Sequence, residues 1–233
     1  MSNKAKLFLT AAIFISVLII DQIIKVNVKT GMALGEHKDI TNWFIIAFVE
    51  NKGMAFGWEL GDKVFLTLFR IIAVIFIGGI IVKQIKIGRS AGFITCLAMI
   101  MGGAAGNIID CLFYGEIFSE STPYNISQYV GWGNGYGDFL QGQVVDMFYF
   151  PLIEWDMPSW SWLNTIPFLP HANEHCIFFS PVFNFADASI TVGVALLLLF
   201  FRNDLNTAMK DKGQTEEKEN GSTLVDVESH TES

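Results

Sequence analysis

Six polar side chains stand at the ends of long apolar runs, and any chemistry this chain performs must begin with them. Asp21 closes the run from Leu7 to Ile20. Asn107 and Asp110 close the run that opens at Ala91, and Asn184 and Asp187 open the run that ends at Phe201. Asp146 lies between apolar neighbours in Gly142-Gln-Val-Val-Asp-Met-Phe148. A carboxylate at membrane depth is costly and is kept where it pairs or serves a function. A single one is explained equally well by a helix cap or a place in the headgroup layer. Several at one level suggest aspartyl proteolysis. One ionised carboxyl takes a proton from water, while a protonated partner polarises the scissile carbonyl. Their mutual repulsion makes the two titrate as a unit.

Other chemistry has weaker claims. Ser189 sits near Asp187 but has no histidine or intramembrane lysine beside it to activate it. Cys96 lies mid-run and reads as packing, and three cysteines (Cys96, Cys111, Cys176) suit neither a disulfide framework nor a four-cysteine metal site. Gly135-Tyr-Gly137-Asp138 spells the Gly-x-Gly-Asp of another class of intramembrane aspartyl protease, but in a polar, glycine-rich stretch instead of an apolar one. His171-Ala-Asn-Glu174-His175-Cys176 offers metal-capable side chains at spacings that do not fit a zinc site. No metal and no cofactor is expected.

The elements that must position these residues are membrane spans. Of the 233 residues, 52% are apolar and only 16% charged, and mean hydropathy is +0.42. Ordinary soluble domains carry about 25% charged residues. Four spans are expected, over about 7–25, 64–82, 91–113 and 181–201, each near the ~20 residues that cross a bilayer. No small-x-small cleavage site follows the first, so it reads as a span and not as a removed signal peptide.

Lys4 and Lys6 precede span one, Lys83, Lys86 and Arg89 fill the turn after span two, and Arg202, Lys210, Lys212 and Lys218 follow span four. Leu112 to Ser180 contains neither Lys nor Arg. By the positive-inside rule both termini face the cytoplasm and the carboxylates face outward. The four lysines between Gln22 and Asp62 run against this rule. The six Trp and five Tyr all fall between spans on the proposed outer side, as interfacial rings do. Ile40 to Glu50 reads as a strand. Residues 203–233 hold eight acids and three lysines, so the net charge of −8 divides into −5 for this tail and −3 for the rest. The tail is expected to be disordered and cytoplasmic. No basic face is present, so nucleic acid is excluded as a partner.

The same residues fall into five stretches that together resemble the lipoprotein signal peptidases (signal peptidase II). These are Asp21-Gln22-x-x-Lys25, Asn51-Lys-Gly-Met-Ala-Phe-Gly57, Gly106-Asn107-Ile-Ile-Asp110, Val144-Val145-Asp146-Met-Phe148 and Pro181-Val-Phe-Asn184-Phe-Ala186-Asp187-Ala-Ser189, in the family's order across residues 5–202. The resemblance implies an all-α membrane protein of four transmembrane helices with a small β-rich extracytoplasmic cradle. Here that cradle is joined by an enlarged outer segment. It implies a membrane peptidase domain over 1–202 in the bacterial cytoplasmic (inner) membrane, monomeric and in contact with membrane lipids. Its substrates would be prolipoproteins carrying diacylglycerol on the lipobox cysteine, cut just before that cysteine. The family's catalytic pair falls on Asp146 and Asp187. Asn51, Asn107 and Asn184 would position substrate or dyad, Asp21 and Asp110 would support, and Gly53, Ala55 and Gly57 would belong to the cradle.

Two departures stand out. Where the family has an arginine after its Gly-Asn-x-x-Asp motif, this chain has Cys111. Arg70, inside span two, is the available substitute, though snorkelling to the headgroups is its plainer reading. The aspartates are also widely spaced, 36 positions from Asp110 to Asp146 and 41 from Asp146 to Asp187. The rival reading is a small proton- or cation-coupled transporter built on the same carboxylates. Internal repeats and interrupted half-helices, the signature of such proteins, are not evident in the sequence.

Overall fold

The computed structural model describes residues 1–51, 61–159, 174–178 and 181–208. Its elements run α1 (Asn3–Gly31), β1 (His37–Thr41), β2 (Phe44–Asn51), α2 (Gly61–Ile87), α3 (Ala91–Ile109), a π-helical turn (Asp110–Tyr114), one further turn α4 (Gly115–Ile117), β3 (Val144–Tyr149), β4 (Ile153–Asp156), β5 (His175–Phe178) and α5 (Phe185–Phe200). Ser2 and Ser90 cap α1 and α3 by accepting hydrogen bonds from Ala5 N and Phe93 N. Gly88, at φ +91°, ends α2 in the left-handed conformation that glycine adopts without strain.

Among the described residues, three helices are long and apolar enough to cross a membrane, and α5 makes a fourth if it is taken with Arg202–Ala208, from which it is bent by 93°. The spans depart from expectation at their ends. Span one is a helix from residue 3 to residue 31, not 7–25, because Asp21, Lys25 and Lys29 are buried inside the protein. Span four starts at Phe185, not at 181. Phe183 is tied to β3 as an isolated bridge to Phe148, and Asn184 then caps the helix. Ile40–Glu50 is not one strand. The chain turns after Thr41, where Thr41 pairs with Phe44, so the stretch is split between β1 and β2. The 203–233 tail lies outside the described residues beyond Ala208.

α3 is the central helix and packs against α1, α2 and α5. It can do so because its contact face is stripped of side chains. A Cβ on Gly103 would sit 2.3 Å from the Ala186 carbonyl oxygen, and one on Gly106 would sit 2.6 Å from Asp21 Oδ2. Small residues let helices approach closely where no hydrophobic effect drives them together. The opposite faces are apolar and open. Phe65, Phe69, Ile72 and Ile75 of α2, Phe8 of α1 and Leu199 and Phe200 of α5 are all more than half exposed, which suits lipid and not water.

The sheet order is β1-β2-β3, antiparallel throughout, with β4 and β5 a separate pair. Register shifts between Ile46 and Val49, where β2 spends three positions against two on β3. That bulge twists the strand end and re-aims its side chains. Two apolar cores result among the described residues. One joins Val28, Met32, Phe48, Tyr114, Phe118, Val145 and Met147 beneath the sheet. The other, led by Ile81, Phe93, Ile94 and Leu197, fills the far end of the bundle. The segment that follows α4 folds onto the first core. Ser119 N donates to Gln128 O, Tyr136 N to Phe118 O and Gly142 N to Cys111 O. Gly135–Asp138 lies in this loop and not on a helix, as its glycines led us to expect.

Candidate active site

Between the two cores lies a layer of polar side chains, delivered by four elements. β3 brings Asp146, the first turn of α5 brings Asp187, α3 brings Asn107, and α1 brings Asp21, Gln22 and Lys25. Asn184 occupies the cap position of α5. Its Oδ1 accepts from Asp187 N at 2.9 Å, which leaves its Nδ2 to point away from the helix. That amide donates to Asp146 Oδ1 at 2.6 Å and to Asn107 Oδ1 at 3.1 Å. Asn107 Nδ2 in turn donates to Asp187 Oδ1 at 2.8 Å. Two amides thus join the two carboxylates, and each amide is used at both ends.

Lys25 decides which way the Asn107 amide faces. Its ammonium donates to Asn107 Oδ1 at 2.8 Å and, being a donor only, it can face only the oxygen. Its other contacts are Asp21 Oδ2 at 2.9 Å and Asp110 Oδ2 at 2.8 Å, with all three side chains fully buried. Gln22 Nε2 adds hydrogen bonds to Asp110 Oδ1 at 2.9 Å and Gly106 O at 3.2 Å, and Tyr114 OH donates to Gln22 Oε1 at 3.0 Å. The two supporting carboxylates also hold backbone next to the dyad. Asp21 Oδ1 accepts from Ala186 N at 2.9 Å, and Asp110 Oδ2 accepts from Val145 N at 3.2 Å. Each therefore fixes the residue immediately before one of the paired aspartates.

Asp146 is buried and its carboxyl is strongly perturbed. Burial, and then the neighbouring Asp187 carboxylate, push its carboxyl up to about 7, against the hydrogen bond from Asn184. Asp187 stands in the first turn of α5, where its Oδ1 accepts from the Asn107 amide.

Of the residues expected from sequence, the structure brings together Asp146, Asp187, Asn107 and Asn184 directly, and Asp21 and Asp110 through Lys25. Asn51 ends β2, paired with Val144 two positions before Asp146. Gly53, Ala55 and Gly57 lie outside the described residues, as do His171–Asn173. Sequence reading quoted Gln22 and Lys25 but gave them no role. The signal was Lys25 one helical turn after Asp21, a spacing that stacks the two on one face. Cys111 is buried on the π-helical turn, and Arg70 does reach across to it, Nη1 lying 3.8 Å from the thiol sulfur. The cation that pairs with Asp110 is nevertheless Lys25.

The chain is similar to known proteins along most of its length. The family described as signal peptidase (SPase) II matches residues 13–202. Two relatives are named lipoprotein signal peptidase. The protein of Porphyromonas gingivalis is 46% identical over 215 residues, covering 90% of this chain and 92% of its own. That of Amoebophilus asiaticus is 35% identical over 209 residues, covering 85% and 79%. Among solved structures, a bacterial membrane enzyme determined by the in meso method superposes with a TM-score of 0.52 at 22% identity, over 82% of this chain and 90% of that one. A second does so with 0.54 at 21% identity, over 85% and 90%. These two likenesses concern the fold. With a family match over residues 13–202 and a relative 46% identical over 92% of its own length, this multi-pass membrane protein belongs to the signal peptidase II family.

Proposed function

We propose that this chain removes signal peptides from prolipoproteins, and that Asp146 and Asp187 are its catalytic pair. The observation that carries the assignment is the double amide bridge. Asn184 and Asn107 hold the two carboxyls at one place while Asp146 is buried and favours its protonated form. The relatives are named peptidases, which speaks for this reading over a transporter.

Asp146 begins protonated and Asp187 ionised. Asp187 accepts a proton from water as the water oxygen attacks the scissile carbonyl carbon. Asp146 gives its proton to the carbonyl oxygen, yielding a neutral tetrahedral diol. Collapse returns a hydroxyl proton to Asp146 while Asp187 passes its proton to the departing nitrogen. The products are a signal peptide ending in a carboxyl group and a lipoprotein beginning with the lipidated cysteine. The dyad ends as it began.

The substrate follows from family membership. It is a prolipoprotein whose cysteine already carries diacylglycerol, and the bond cut precedes that cysteine. A site at the membrane surface suits it, since the anchor stays in the outer leaflet and both partners are confined to two dimensions. Both termini then face the cytoplasm. The lysines that spoke against this orientation include Lys25 and Lys29, which are buried against Asp21, Asp110 and Glu50 and are not free surface charges. The test is cleavage of a diacylglyceryl-modified prolipoprotein by the purified protein, with and without chelator. Cleavage that persists in chelator supports the pair. Cleavage abolished by chelator and restored by a divalent metal overturns it.

A further inference from the structure

One buried charge cluster plays no part in the mechanism above. Lys29 donates from its ammonium to Glu50 Oε1 and to Ser121 Oγ at 2.9 Å, and Ser121 Oγ donates to Glu50 Oε1 at 2.9 Å. The Lys29 side chain is fully buried and that of Glu50 is 4% exposed. The ammonium also lies over the rings of Tyr136 and Phe118, 5.0 and 5.6 Å from their centres. The cluster joins α1, the end of β2 and the outer segment. Leu34 N, donating to Thr122 O at 3.1 Å, and Gln143 N, donating to Tyr136 OH at 2.7 Å, close the same ring of contacts.

Its place on the sheet gives it a consequence. Beyond the bulge β2 pairs with β3 at only three positions, Val49 with Asp146, Glu50 with Val145 and Asn51 with Val144. Directly paired residues share a face, and successive residues alternate. Glu50 therefore lies on the back of the sheet with Val145, which belongs to the core beneath, while Val49 and Asn51 lie on the front with Asp146. A slip of one position would carry Asn51 to the back. Three ladder pairs after a bulge are a weak guarantee of register.

We infer that Lys29 and Glu50, backed by Ser121, form a latch that pins the register of the β2 end, and so are positioning residues that set the front-face residues beside Asp146 for substrate. This rests on the proposed peptidase function. The enlarged outer segment then has a task, since it supplies Ser121 and the two rings that enclose the lysine.

The test uses the full chain in lipid, with diacylglyceryl-modified prolipoprotein as substrate and amide hydrogen exchange as an activity-independent readout. Glu50→Asp keeps the charge pair but shortens the reach by one methylene. It should raise KM about fivefold with kcat changed less than twofold, and residues 49–51 should lose exchange protection. Glu50→Gln should do the same more strongly, and Ser121→Ala more weakly, by about twofold in KM. The exchanged pair Lys29→Glu/Glu50→Lys should recover part of the loss. Unchanged KM and unchanged protection at residues 49–51 in Glu50→Asp would overturn the latch. So would a fall in kcat alone, or a lower Tm with wild-type kinetics. Absence of cleavage by the wild-type chain would overturn the peptidase reading instead, and protection at residues 49–51 would still decide the latch.

Discussion

At the Asp146 carboxyl the proposed chemistry and the stability of the fold meet. Its proton is held up to about 7 in the fold, well above its ordinary 3.8. The unfolded chain releases that proton earlier as pH rises, so the stability this group contributes is complete below about 4 and is lost as pH rises through about 7. Asp146→Asn removes the titration. Its Tm relative to wild type should therefore climb between pH 5 and pH 8, measured by thermal unfolding in detergent. A constant difference would mean that the carboxyl is not perturbed. Lys25 is a cation held between two fully buried carboxylates. Lys25→Met leaves Asp21 and Asp110 facing each other unpaired, and such a loss costs about 3–5 kcal/mol. Folded yield and Tm should both fall sharply, and a wild-type Tm would show the pair to be dispensable.

At the scale of elements, the π-helical turn from Asp110 to Tyr114 carries Cys111, at the position where the motif resemblance led to an expectation of arginine. Cys111 is buried on that turn, with the Arg70 guanidinium beside its sulfur. Cys111→Arg would overpack the turn and set two cations against each other, since Asp110 is already satisfied by Lys25, Gln22 and Val145 N. Lower folded yield and a Tm reduced by several degrees are expected, and wild-type stability and turnover would refute this. The elements also show what sequence conveys and what it does not. Apolar runs and their charged borders revealed the helices, because burial in lipid demands continuous hydrophobicity. Their ends were misjudged where buried polar pairs extend a helix, as at Lys25 and Lys29, or where strand pairing delays one, as at Phe183. The roles proposed for Asp146 and Asp187 rest on motif resemblance. Nothing in their spacing shows that residues 41 positions apart meet through Asn107 and Asn184, because side-chain amide bridges leave no periodic trace.

For the whole molecule, the claim is a bundle with an acid pair on its outer side and a basic border on the other. Lys6 donates to the Arg89 carbonyl, and Arg89 and Ser90 meet Asp204, so the start of α1, the α2–α3 turn and the helix after α5 gather at one end. The polar layer and the sheet lie at the opposite end. Reporter tags placed after Arg202 and between Gln84 and Gly88 should be cytoplasmic, and one near Asn134 should be external. An external tag after Arg202 would reverse the placement of the dyad and with it the supply of lipidated substrate. The proposed orientation rests on the lysines and arginines of the sequence, and counting them does not reveal that Lys25 and Lys29 are buried and paired.

Single-turnover cleavage of a diacylglyceryl-modified prolipoprotein by Asp146→Asn, Asp187→Asn and the double variant tests the central claim most directly. Asparagine keeps the shape of each side chain but can neither take nor hold the shared proton. The account predicts that each single variant loses about 10³-fold or more in rate while remaining folded in the membrane. The double variant should be little worse than either, because the two groups act as one unit. Near-wild-type turnover in either single variant, or losses that multiply in the double, would contradict it.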